Sequence, residues 1–472
     1  MQNVGTRFFW VSVAFLIVLS TAGALAGEPA SLDTTYRETA EQITQAAMGN
    51  ETAWERLAFV CDEIGPRLSG SAQYEQAVRW AVEQMKSDGL VDVSTPLVKV
   101  PHWVRGQERA TLVYPFERKL HLLGLGGSVP TPAGGLLARV VVVNNFEQLD
   151  ALSPESVRGA IVLFNPPYEG YGKTSRYRFS GPSRAAKAGA AAVLIRSVTQ
   201  NSLQSPHTGM LSYDAANPRI PAAALSVEDA AYLERLFRTN RQPTVRLELE
   251  SQTLPDVDSA NVVGEIKGAR RPEEIVVIGG HLDSWDVGQG AQDDAGGCIV
   301  AMEAARLIRS LGLKPRRTIR VVLFANEENG LRGATAYHDW IATDPRKHVA
   351  AIELDAGVEK PQGFGVSLLK LERQSPAWSE AFRRAREIGK LLEAIEAGTV
   401  SEGGGSADIG PLIRDGVPGF GIRSEGGSYF DWHHSAADTL DKVSPDHLRR
   451  NLAVAAVLLY VLADMPEPLV TQ

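Results

Sequence analysis

Several apolar runs in the C-terminal half of the chain end in side chains that bind cations or move protons. Glu274–Ile278 leads into Gly279-Gly280-His281-Leu282-Asp283, Thr318–Phe324 into Asn326-Glu327-Glu328, and His348–Leu354 into Asp355. Gln292-Asp293-Asp294 adds two carboxylates where a helix is expected to open, and His433-His434 with Asp438 follows the run Gly419–Ile422. In an open α/β sheet, ligands bind in the crevice beyond the carboxyl ends of the strands. These groups are therefore expected to converge on one edge. Carboxylates crowded into one crevice repel one another by many kcal/mol unless cations offset the charge, so the pattern implies bound metal. The donors are imidazole and carboxylate without thiolate, which suits zinc, manganese or cobalt better than calcium or magnesium. Two imidazoles and three or four carboxylates suffice for two ions that share a bridging carboxylate. Such a pair, about 3.5–4 Å apart, holds a bridging water and polarises a carbonyl for hydrolysis. Glu327 and Glu328 are adjacent and point in different directions, so one can ligate while the other stays free as a general base.

The motifs His281-x-Asp283, Asp293-Asp294-x-x-Gly297, Asn326-Glu327-Glu328-x-Gly330, Glu353-Leu354-Asp355 and His434-x-x-x-Asp438-Thr439 follow one another along the chain. In type, order and spacing they resemble the secreted co-catalytic zinc peptidases, the family that includes the di-zinc aminopeptidases and, most similar here, the carboxypeptidase Q-like exopeptidases. The resemblance spans nearly all of the chain after its leader, and a middle segment resembles the family's protease-associated domain. It implies two zinc ions, with manganese or cobalt as substitutes. It puts His281 and Asp355 on one ion, Glu328 and His434 on the other, Asp293 between them, and Glu327 as the base. Asp283 and Asp438 would lie around the ligands, Asp283 orienting the His281 ring. The resemblance also implies a cis peptide at Asp293-Asp294, short peptides with free termini as substrates, and a homodimer. Longer peptides taken from the amino end are the alternative substrates, and an inactive peptidase-like binding ectodomain is the alternative function, although no ligand has been lost.

Neighbouring residues carry other readings. His433 adjoins the chosen ligand, but His434 has the four-residue spacing to Asp438. Asp294 suits a helix start. Gly403-Gly404-Gly405 lacks the lysine of a phosphate loop and reads instead as a place where substrate approaches the backbone near Asp408. Tyr429, Phe430 and Trp432 suit a core or a pocket wall equally. No motif for an acidic side chain stands out, and Arg423 and Lys442 are the nearby cations. The other histidines, His102, His121, His207, His338, His348 and His447, read as structural.

The elements that must position these groups follow from the wider pattern. With 472 residues, 44% hydrophobic and 22% charged, the chain is of globular composition, with two or three domains expected. Its 48 Lys+Arg against 56 Asp+Glu, with no basic run beyond Arg270-Arg271 or Lys314-Pro315-Arg316-Arg317, argue against a nucleic-acid partner. Residues 1–26 read as a signal peptide: Arg7, an apolar run Phe8–Leu19, then Ala24-Leu25-Ala26. The run is shorter than the ~20 residues that span a bilayer, so the product is expected outside the cytoplasm, secreted or periplasmic, with no membrane span. Cys61 and Cys298 lack ligand spacing and read as buried thiols, with a bridge between them left open. Asn50-Glu51-Thr52 is a glycosylation sequon.

The fold class expected is α/β: a mostly parallel mixed sheet flanked by helices, with a smaller inserted β/α domain. Residues 27–125 and 257–472 are assigned to the peptidase domain and 126–256 to the insert. Three helices are expected between Leu32 and Gly89. Short runs such as Ala138–Val143, Ala160–Phe164 and Ala222–Leu225 mark strands of the insert. A last helix, Ser444–Asp464, begins with Pro445 and carries an apolar face through Leu448, Leu452, Ala455 and Leu459.

Overall fold

The computed structural model describes residues 1–3, 5–6, 31–405 and 407–470; the leader expected at 1–26 lies largely outside the described residues. The apolar runs of the C-terminal half pair into an eight-stranded sheet. Across its width the order is Val91–Ser94, Val262–Ile266, Arg317–Phe324, Arg271–His281, Lys347–Glu353, Gly419–Ser424, Pro361–Ser367, Thr399–Glu402. The middle four strands are parallel, and antiparallel neighbours flank them on either side. Arg317–Phe324 is buried along its whole length, as expected of a strand covered on both faces. Helices Gly296–Ser310 and Pro445–Asp464 cover one face, and Arg332–Ile341 with Gly410–Asp415 covers the other.

The last helix shows how the sequence sets an element. The Ser444 hydroxyl accepts from His447 N–H, Pro445 occupies the first turn, and the side chains from Leu452 to Ala463 are buried without interruption. Each large side chain buried there contributes about 1.5–3 kcal/mol relative to exposure. Three N-terminal helices, Leu32–Met48, Thr52–Phe59 and Ala72–Ser87, complete that layer. Three strands of this sheet went unread in the sequence: Val262–Ile266, and Pro361–Ser367 and Thr399–Glu402 with the helix Pro376–Lys390 between them. Pro361-Gln362-Gly363-Phe364-Gly365 has weak strand propensity, and only pairing with Gly419–Ser424 makes it one.

A second eight-stranded sheet forms an inserted domain with a core on each face. The chain leaves and returns along one antiparallel ribbon, Leu97–Val104 with Gln252–Ala260, so both connections lie side by side, as in an added domain. The second sheet begins earlier than the boundary at residue 126. Glu108–Tyr114, Arg118–Leu120 and Leu122–Gly124 pair into it. Those short amphipathic strands carry too little apolar sequence to declare which of two sheets they will join.

Cys61 and Cys298 are both free and buried. The sequon residue Asn50 is also buried, accepting from Ala53 N–H and donating to Glu303, so its amide is spent on a helix start. No helix among the described residues is long and apolar enough to cross a membrane.

Candidate metal centre

The expected ligands meet at the carboxyl edge of the parallel strands. His281 ends Arg271–His281, Glu327 and Glu328 occupy the turn after Arg317–Phe324, and Asp355 lies two residues past Lys347–Glu353. His434 follows the short helix Tyr429–Trp432, and Asp293 lies in the turn that enters Gly296–Ser310. Asp293 stands between two groups of donors. Its Oδ1 is 3.2 Å from His281 Nε2, which is 3.6 Å from Asp355 Oδ1. Its Oδ2 is 3.5 Å from His434 Nε2, which is 3.0 Å from Glu328 Oε2. Among the described residues, His281, Asp293 and Asp355 form one set that could hold an ion, and Asp293, His433 and His434 form another.

His433 comes as near to Asp293 as His434 does, at 3.5 Å, and the two rings stack at 3.6 Å. Only His434 is paired with Glu328. The Asp293–Asp294 peptide is cis, as the resemblance implied.

The surrounding groups act on the backbone. His281 Nδ1 faces the Asp283 carbonyl oxygen at 2.9 Å, whereas the Asp283 carboxylate is 3.8 Å away. That carboxylate instead accepts from Glu327 N–H (3.1 Å), Glu328 N–H (3.4 Å) and the Ser69 hydroxyl (2.9 Å). It thus fixes the glutamate turn, and the ring is oriented by the main chain two residues on. Asp438 accepts from the N–H groups of Ala291, Gln292 and Asp293, which holds the Asp293 loop. Asp294 accepts from His281 N–H and from Gly297 N–H in the first helical turn, the helix-start role its position suggested.

Burial pushes up Asp293, Glu328 and Glu327, the last to about 8 with the Asp355 and Asp293 carboxylates adding to its shift. Burial and the neighbouring His433 and Arg178 push His434 well down, keeping its ring neutral. Burial acts to lower His281, but its contacts with Asp293 and Asp355 overcome that and raise it. His281 Nε2, Asp293 Oδ2 and Glu328 Oε2 are buried and make no hydrogen bond. Leaving such groups unsatisfied costs about 1–3 kcal/mol each. The donor set and these inward-facing atoms fit a pair of divalent cations.

A cleft of about 380 Å³ opens beside Asp355, floored by Gly403, Gly404 and Gly405 and bordered by Ala356, Ser367 and Arg423. A Cβ on Gly404 would meet Gly365 O at 2.2 Å, so packing demands the glycine. Lys442 turns away from this cleft to Asp441 and the Trp432 ring. Tyr429 and Phe430 are half-buried and pack against His433.

The inserted domain also reaches the centre, through Tyr171, Arg178, His207 and Thr208. No motif announced these residues, because their spacing to the ligands exists only after folding. The motifs named Asn326 and His434 but gave no sign of their left-handed backbone, with φ angles of +64° and +60°. Non-glycine residues in this region cluster at functional sites.

A mixed sheet with two carboxylate-linked His/Asp clusters at its edge defines a co-catalytic metallopeptidase. The family model described as Peptidase family M28 matches residues 261–459. Mouse carboxypeptidase Q is 40% identical over 437 residues, covering 92% of this chain and 91% of its own. The solved structure of a Peptidase M28 precursor from Shewanella amazonensis superposes with a TM-score of 0.87 at 34% identity, covering 93% of this chain and 99% of that one. A zinc aminopeptidase from Bacillus subtilis shares the fold, with a TM-score of 0.65 at 23% identity over 89% of this chain and 96% of that one. The chain belongs to peptidase family M28, as a carboxypeptidase Q-like metallopeptidase.

Proposed function

We propose that the protein is an exported exopeptidase that binds two zinc ions and hydrolyses dipeptides or short peptides with free termini. The observation that carries this reading is Asp293, whose two carboxylate oxygens face separate imidazole–carboxylate clusters. His281 and Asp355 would hold one ion, Glu328 and His434 the other, and Asp293 both. Bound zinc supplies Lewis-acid activation of water and of the scissile carbonyl. Glu327 takes the proton of the attacking water and delivers it to the leaving amine. Its half-buried place in the turn beside Glu328 puts a carboxylate next to the ligands without making it one, as a positioned general base requires. Asp283 holds the Glu327 amide and Asp438 the Asp293 amide, so neither group need reorganise during turnover.

Tyr171 and Arg178 of the inserted domain close one side of the centre, which favours short substrates over long ones. We assign residues 126–256 to this lobe together with the three strands that precede them. The homodimer and the export rest on the resemblance and on residues 1–26. A panel of free dipeptides, blocked dipeptides and longer peptides, each assayed with and without chelator, tests the reading. Chelator-sensitive cleavage confined to unblocked short peptides is expected. Faster release of amino-terminal residues from longer peptides would make the protein an aminopeptidase instead.

A further inference from the structure

His434 is held from outside its own domain. Thr208 N–H donates to His434 O at 2.9 Å, His434 Nδ1 lies 3.4 Å from Thr208 O, and His207 bridges to Ser435 in the same antiparallel contact. Arg178 Nη1 donates to that same Thr208 carbonyl at 3.2 Å and sits 3.4 Å from His434 Nδ1, while Nη2 donates to the Tyr171 hydroxyl at 2.8 Å. A neutral histidine that ligates through Nε2 carries its proton on Nδ1, and that proton needs an acceptor. A guanidinium has none to offer. The Thr208 carbonyl is therefore the group that takes the proton, and Arg178 pins that carbonyl in place. His281 differs, because its Nδ1 faces the Asp283 carbonyl of its own domain at 2.9 Å.

We propose that the inserted domain is part of the metal centre: Arg178 is a positioning residue that holds the Thr208 carbonyl as the outer partner of His434. The ion position at Glu328 and His434 then depends on the insert, whereas the position at His281 and Asp355 does not. This rests on the two-zinc reading above. Loss of an outer partner lowers metal affinity by about 10–100-fold, so the two positions should respond differently to the same substitution.

The test is zinc release from the full-length protein into graded concentrations of a coloured chelator, with visible spectra of the cobalt-loaded protein alongside. Two release phases are expected from wild type. Arg178→Met should shift one phase by about 10–100-fold and leave the other in place, altering the cobalt spectrum of the weakened position only. Arg178→Lys, which keeps a cationic N–H donor without the planar fork, should give a smaller shift than Arg178→Met. Tyr171→Phe removes only the hydroxyl that braces Arg178, so it gives a smaller shift of the same phase even if Arg178→Met fails to fold. Two ions bound with neither phase moved, or with both moved together, would overturn the inference alone. A wild-type chain that binds fewer than two ions would overturn the two-zinc reading and this inference with it.

Discussion

Glu327 and Glu328 share a turn and a charge, and their surroundings separate them. Glu328 is buried, with Oε1 accepting from Trp285 N–H and Oε2 3.0 Å from His434, while Glu327 is half-buried and its amide donates to Asp283. Glu327→Gln keeps shape but cannot accept a proton, so turnover should fall by roughly 10²–10⁴-fold with zinc content intact. Glu328→Gln should lose zinc first and activity as a consequence, with partial rescue by excess metal. Elemental analysis beside turnover measures both, and the reverse pattern would exchange the two roles. Asp438→Ala leaves three buried N–H groups without their acceptor, each at about 1–3 kcal/mol, so a lower unfolding midpoint and weaker zinc retention are expected by calorimetry and dialysis. These residues were legible because metal chemistry restricts residue type and motif spacing survives in a linear chain. The part taken by the Asp283 carboxylate was not, since spacing tells nothing of whether a carboxylate or a main-chain carbonyl meets the ring.

At the scale of elements, Gly297 lies in the first turn of the helix that the Asp293 loop enters. A Cβ there would lie 1.8 Å from Leu354 O and 2.2 Å from Asp294 Oδ1. Gly297→Ala should therefore destabilise the fold by about 1–3 kcal/mol or more through overpacking, measured as a fall in denaturant midpoint; an unchanged midpoint would refute the close approach. On the opposite layer, burial, with Arg320 adding, pushes His348 down to about 3, and its Nε2 meets the Tyr337 hydroxyl at 2.8 Å. The folded state thus takes up this proton far less readily than the unfolded chain, whose histidine titrates near 6.5. The stability from neutral His348 is complete above about pH 6.5 and is lost as pH falls toward 3, by about 1.4 kcal/mol per unit. His348→Gln keeps an acceptor for Tyr337 and removes the titration. The wild-type advantage over this variant should shrink between pH 6.5 and 5 in urea unfolding of the chelated protein.

For the whole molecule, zinc and fold are expected to be linked. Exhaustive chelation should abolish peptidase activity and lower the melting temperature, and zinc at about 100 times its dissociation constant should return roughly 2.7 kcal/mol per site. Activity that survives complete metal removal, checked by elemental analysis, would sink the mechanism.

The amino-acid sequence by itself determined the α/β class, because strands buried on both faces read as largely apolar runs. It also singled out the candidate ligand types, because divalent cations accept few donors and the motifs stand in order. The tertiary structure alone decided where the inserted sheet begins, since Glu108–Tyr114 and Leu122–Gly124 are short strands whose partners lie about a hundred residues or more away in Thr244–Leu249 and Ala222–Leu225. It alone brought Arg178 and Thr208 to His434. Such contacts join residues more than two hundred positions apart, and a linear pattern carries periodicity and local spacing but not the distance between domains.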